Sequence, residues 1–70
     1  MIIKVEIFDT NEVKSIGSIT IPSDDFNSIR RGDHICYNFV RYKVKRRTFD
    51  FDNNKTYLDV EKFIGNVGGY

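Results

Sequence analysis

Few residues in this chain could carry covalent chemistry. His34 and Cys36 are the sole members of their types. Two apart on a strand, they would share a face with Cα atoms ~6.6 Å apart. That is poor geometry for the ~2.6–3.2 Å hydrogen bond between a nucleophile and its base. Asp33 is adjacent, but nothing else completes a triad, and two ligands fall short of the ~four that a structural zinc takes. The pair reads as a strand-start histidine and a small buried cysteine. In "DFDNNKTYLDVE", Asp50, Asp52, Asn54 and Glu61 fall on positions 1, 3, 5 and 12 of a calcium loop. The glycine needed at the sharp turn is replaced by Lys55, and strand flanks would carry Glu61 away along the sheet. A hairpin loop of Asp and Asn turn formers is the better account. Arg31 to Asp33 spells "RGD", read here as a helix stop and turn. The tail glycines Gly65, Gly68 and Gly69 have no following helix to make a phosphate cradle. The expectation is therefore no metal, no cofactor and no enzyme.

The other chemically loaded stretch is "RYKVKRR", Arg41 to Arg47, with five cations in seven residues of a chain whose net charge is +1. Arg30 to Arg47 holds seven cations (Arg30, Arg31, Arg41, Lys43, Lys45, Arg46, Arg47) against Asp33 alone. The first 29 residues hold Lys4 and Lys14 against Glu6, Asp9, Glu12, Asp24 and Asp25. Such a bipolar surface steers an acidic partner toward one side.

The elements that must position these charges are mostly strands. Seventy residues allow one domain, and 40% apolar with 14% aromatic content describes a folded globule rich in strand formers. In "IIKVEIF", Ile3, Val5 and Ile7 alternate with Lys4 and Glu6, the period of a half-buried strand. "IGSITI" alternates after a polar loop and completes a hairpin that Pro22 ends. "SDDFNSIRRGD" is the one helix candidate, with Ser23 as cap, Asp24 and Asp25 at its positive end, and Arg30 and Arg31 at its negative end. Phe26 and Ile29 would face the core together. "HICYNFV" and "RYKVKRRTF" follow as one bent strand or as two joined near Asn38, and "TYLDVEKF" is the last strand. The final "IGNVGGY", residues 64–70, reads as a loose tail. A single cysteine, no apolar run near the ~20 residues of a membrane span and no signal-peptide pattern suggest the cytoplasm.

Alternation also proposes a pairing. With "DFDNN" as hairpin loop, Lys45 faces Asp59, Lys43 faces Glu61 and Arg47 faces Tyr57 outside, while Val44 faces Val60 and Arg46 faces Leu58 inside. Arg41, Lys43, Lys45 and Arg47 then share one face, opposite Tyr42 and Val44. A shift of one residue would turn Asp59 and Glu61 toward the core.

A "GD-apolar" strand start (Gly32–Asp33–His34–Ile35), a "Y-x-V-x-x-R-x-F-D" strand (Tyr42 to Asp50) and a final "L-x-V-E" (Leu58 to Glu61) resemble short SH3-like barrel proteins of bacteria and phages. The resemblance covers about half the chain, residues 29–61, and implies a fold but no activity. Its usual glycine near the turn at Asn38 is replaced by "NFVR".

These observations predict a mainly β domain over residues 1–63, in the order β-β-short α-β-β-β, forming a small five-stranded antiparallel SH3-like barrel. The expected function is a non-enzymatic protein-binding module, an inhibitor or adaptor of phage type acting on a host protein. Its expected partner is an acidic protein surface, with Arg30, Arg31, Phe39, Arg41, Lys43, Arg47 and Phe51 as the interface. The alternative is nucleic-acid binding through the basic strand 41–47, with Arg30 and Arg31 beside it. Self-association through open strand edges is a separate expectation.

Overall fold

The computed structural model describes residues 1–63; the tail expected over 64–70 lies outside the described residues. Five strands, β1 (Ile2–Asp9), β2 (Lys14–Pro22), β3 (His34–Tyr37), β4 (Val40–Asp50) and β5 (Lys55–Lys62), curl into one half-barrel sheet with a single short helix, α1 (Ser23–Ser28). The fold is mainly β in the expected element order, consistent with a small SH3-like barrel. The strand order is β2-β1-β5-β4-β3. Each hairpin pairs antiparallel, whereas β5 docks parallel to β1 with Ile7 opposite Leu58. The α1 segment separates the first hairpin from the last strands, which lets them meet in this orientation.

The concave face holds the core. Val5 and Ile7 of β1, Tyr42 and Val44 of β4, Leu58 and Val60 of β5 and Phe26 of α1 are buried together. Each such side chain contributes about 1.5–3 kcal/mol through burial. Phe26 and Ile29 do face inward together, but α1 is shorter than its sequence suggests. Ser23 is its first residue and not its cap, and Pro22 occupies the cap position without a side-chain bond. The Ser23 amide is already engaged by the Met1 carbonyl at 2.7 Å, as an extension of the β1–β2 ladder. Ile29 turns extended (φ −72°, ψ 132°), so Arg30 and Arg31 lie past the helix and do not meet its negative end. They belong to a turn in which the Asp33 amide donates to the Arg30 carbonyl at 3.0 Å and the Arg30 amide to the Asp33 carboxylate at 2.7 Å. Gly32 supplies that turn with φ +95°, a conformation costly for other residues.

The largest departure from the expected pairing is in β4. Lys43 and Val44 face Glu61 and Val60 as the alternation requires, but Arg46 faces Asp59, Arg47 faces Leu58 and Thr48 faces Tyr57. A β-bulge at Lys45 inserts one residue. Lys45 therefore does not face Asp59, and Arg47 leaves the face of Arg41 and Lys43 for the concave side. Two gains explain the bulge. Asp59, only 8% exposed, receives Arg46 Nε at 3.1 Å and the Thr48 hydroxyl at 2.7 Å. Phe49 is turned inward, its ring edge-on to Phe26 at 6.0 Å. Without the extra residue, both would point the wrong way.

β3 and β4 are two strands joined by the two-residue turn Asn38–Phe39, with φ of +54° and +66°. Both central residues at positive φ are what a tight type I′ hairpin requires. Tyr37, just before that turn, reaches across the half-barrel to Gly17 of β2. A Cβ on Gly17 would collide with the Tyr37 ring and hydroxyl. Gly17→Ala should destabilise the fold by about 1–3 kcal/mol through this overpacking. In denaturant titrations, Gly17→Ala combined with Tyr37→Ala should cost less than the sum of the two single changes. Full additivity would show that the two residues do not meet.

Candidate binding cleft

The bulge shapes a cleft among the described residues. It has a volume of about 560 Å³ and runs between β4 and the segment that follows α1. One wall is formed by Lys45, Arg46, Arg47 and Phe49, and the other by Asn27, Ile29, Arg30 and Arg31. Ile29 and the half-exposed Phe49, above the buried Val44, give it an apolar floor below five cations.

The cations are held differently. The Arg47 guanidinium lies over the Phe26 ring at 5.7 Å and donates to the Asn27 carbonyl at 3.2 Å. Those contacts set its direction without neutralising it. Lys45 pairs with Glu61 at 3.6 Å, and Arg46 with Asp59. The pairing expected between Lys43 and Glu61 is thus taken by Lys45. The exposed Lys45–Glu61 pair is worth only about 0–1 kcal/mol and yields readily to an incoming anion, whereas Arg46 is held by the nearly buried Asp59. Arg30 and Arg31 are exposed on their turn, and no carboxylate of the described residues lies within ion-pair distance of either.

The seven residues singled out from sequence do not make one patch. Arg30, Arg31 and Arg47 meet at the cleft. Arg41 and Lys43 lie on the convex face of the β3–β4 hairpin, opposite Cys36 and His34. There the Arg41 guanidinium stands 5.9 Å from the Phe63 ring, against which His34 also packs at 4.6 Å. Cys36, expected to be buried, is exposed, because its face of β3 is the convex one. Phe39 and Phe51 are fully and 90% exposed, but at opposite ends of β4. An eleven-residue strand separates them by roughly 35 Å. Lys45, Arg46 and Phe49 were missing from the expected interface. The signal for the bulge that brings them in is the phase change in "KVKRRTF", where Phe49 falls out of step with Tyr42 and Val44 across the cation run.

The hairpin loop at Phe51 is shorter than expected, since Asp50 pairs with Lys55. The Asp50 carboxylate accepts the Asn53 side-chain amide at 2.9 Å and the backbone amides of Asp52 and Asn53 at 3.1 and 3.2 Å. These bonds, led by that of the Asn53 side chain, hold its carboxyl below the ordinary 3.8. On β1, Glu6 is lowered chiefly by the Ser15 hydroxyl at 3.0 Å, then by Lys55 at 3.5 Å. Glu61 lies within β5 and is taken by Lys45, and no described residues form a cluster of three or more metal-ligating side chains. Among the described residues no helix is long and apolar enough to cross a membrane. No protein-family model, curated protein or solved structure matches the chain.

Two measurements follow from this geometry. A depressed carboxylate adds stability that is present above its unfolded pKa and lost as pH falls through its lower folded value. Asn53→Ala should therefore raise the Asp50 pKa in a carboxyl-carbon NMR titration and move the acid limb of unfolding to higher pH; an unchanged Asp50 titration would disprove the bonding. Phe39→Gly should stabilise the hairpin by about 1 kcal/mol in thermal or denaturant unfolding, because glycine adopts positive φ freely. A loss of stability would mean that the Phe39 ring packs on the fold.

Proposed function

We propose that this chain is a non-enzymatic binding module that holds an acidic protein surface in the cleft between β4 and the Arg30–Arg31 turn. The observation that carries the proposal is the convergence of five cations from two separate segments above an apolar floor. Arg and aromatic side chains are the usual anchors of protein interfaces. Such a module works by occupying or bridging its partner, as an inhibitor or an adaptor. The resemblance to short barrel proteins of bacteria and phages makes a host protein the partner to seek.

Nucleic acid is the second reading, and the basic cleft is what favours it. Binding of single strands uses several exposed aromatic faces beside the cations. Here Phe49 is the one aromatic lining the cleft, and its ring is engaged with Phe26. Two of the five cations are also already bonded to carboxylates. An acidic protein surface asks less of this site than a polynucleotide does.

The test is recovery of the tagged protein from a host lysate with and without nuclease, alongside an Arg30→Glu, Arg31→Glu variant. Both residues are exposed on a turn, so the variant should keep its stability within about 0.5 kcal/mol. A protein that survives nuclease, is lost with the variant and cross-links to the cleft through an acidic segment is the expected result. Loss of all bound material with nuclease, with affinity falling steeply in salt, would transfer the assignment to nucleic acid.

A further inference from the structure

The cleft is also the open edge of a sheet. β3 is four residues long and β4 eleven, and their ladder ends at the pair His34–Lys43. Val44 continues the contact only once, accepting from the Gly32 amide at 2.9 Å and donating to the Asp33 carbonyl at 2.8 Å. Beyond Val44, no described strand pairs with β4 on the side away from β5. The turn at Arg30–Asp33 closes one end of this gap.

The bulge decides which backbone groups look into it. Along a strand, residues on the same face direct their amides and carbonyls to the same edge. Val44 is concave and uses the edge opposite β5. Arg47 and Phe49, returned to the concave face by the extra residue at Lys45, direct their N–H and C=O groups to that same edge. Arg47 and Phe49 line the cleft, so among the described residues its wall carries backbone donors and acceptors without a strand partner as well as charges.

The charges select what can pair there. A second copy adding through the same edge would bring Lys45, Arg46 and Arg47 against their own equivalents, an arrangement of like charges that discourages edge pairing. An acidic strand meets the opposite condition. Resting on the reading of the cleft as an acidic-partner site, we infer that the partner enters as an extended acidic segment and adds a strand to β4 alongside Lys45–Asp50. Its alternate side chains would fall on the apolar concave floor of Ile29 and Phe49 and on the convex side near Lys45 and Arg46. The segment that fits is one in which acidic and apolar residues alternate. Backbone bonds would supply affinity and the alternate side chains specificity.

The test uses the whole protein and an end-capped peptide of alternating Glu and Val, eight residues long, at low ionic strength. Two further peptides carry backbone N-methyl groups, one on every Glu and one on every Val. Each modification blocks a single edge of the extended peptide. The expected result is that one methylated peptide binds roughly tenfold or more weakly than the parent and the other within about threefold, since only one edge meets β4. The parent peptide should also slow hydrogen exchange at the Arg47 and Phe49 amides. Equal binding of all three peptides, without slowed exchange, would overturn strand addition and leave an acidic partner held by charge alone. No binding by any of the three would overturn both readings.

Discussion

The structure turns on one buried carboxylate. Asp59 sits almost fully buried on the convex side of β5, where an unpaired charge would be costly. Its demand is met by Arg46 and Thr48 together, and both reach it only because β4 carries an extra residue at Lys45. Everything past that residue changes face. Arg47 and Phe49 move to the concave side, Phe26 gains an aromatic neighbour and a guanidinium above its ring, and a cleft opens between β4 and the chain leaving α1. One ion pair thus sets the register, and the register makes the surface.

The rest of the fold keeps that arrangement in place with little material. The core is a few aliphatic side chains and Tyr42 from three strands, sealed at one side by Phe26. α1 is too short to be stable alone and stands because Phe26 is buried and Ser23 is tied to Met1. Tyr37 over Gly17 brings the two edge strands together across the barrel without a ladder between them. The sheet approaches closure through side-chain packing, Tyr37 on Gly17 included, and its β4 edge remains open where β3 stops.

Periodicity made most of this legible. The alternation of Ile3, Val5 and Ile7, and of Leu58 and Val60, marks the core strands directly, and the pairing of Val44 with Val60 follows from it. Three local features were hidden for physical reasons. In "KVKRRTF" the alternation stops at Val44 and Phe49 falls out of phase with it, but where an extra residue is inserted is decided by what stands across the strand. The turn at Asn38–Phe39 lacks the glycine that announces a tight hairpin. Ser23 has the chemistry of a cap, but its amide is claimed by a residue far away in sequence, Met1. Of the cleft, Arg30, Arg31 and Arg47 were visible as charges. Their convergence with Phe49 depends on tertiary register and could not be.

The parallel pairing of β1 with β5 has a kinetic consequence. Val5 and Ile7 are covered by Leu58 and Val60, so the centre of the core joins segments more than fifty residues apart in the sequence. During synthesis, β1 and β2 can meet as a hairpin, but a lone two-stranded hairpin is marginal in water. The apolar face of β1 stays uncovered until β5 has left the ribosome. Distant contacts of this kind place a domain among the slower folders of its size, in which loop closure precedes any reward from packing. For this chain, cooperative folding begins only when nearly all of the described sequence is available at once.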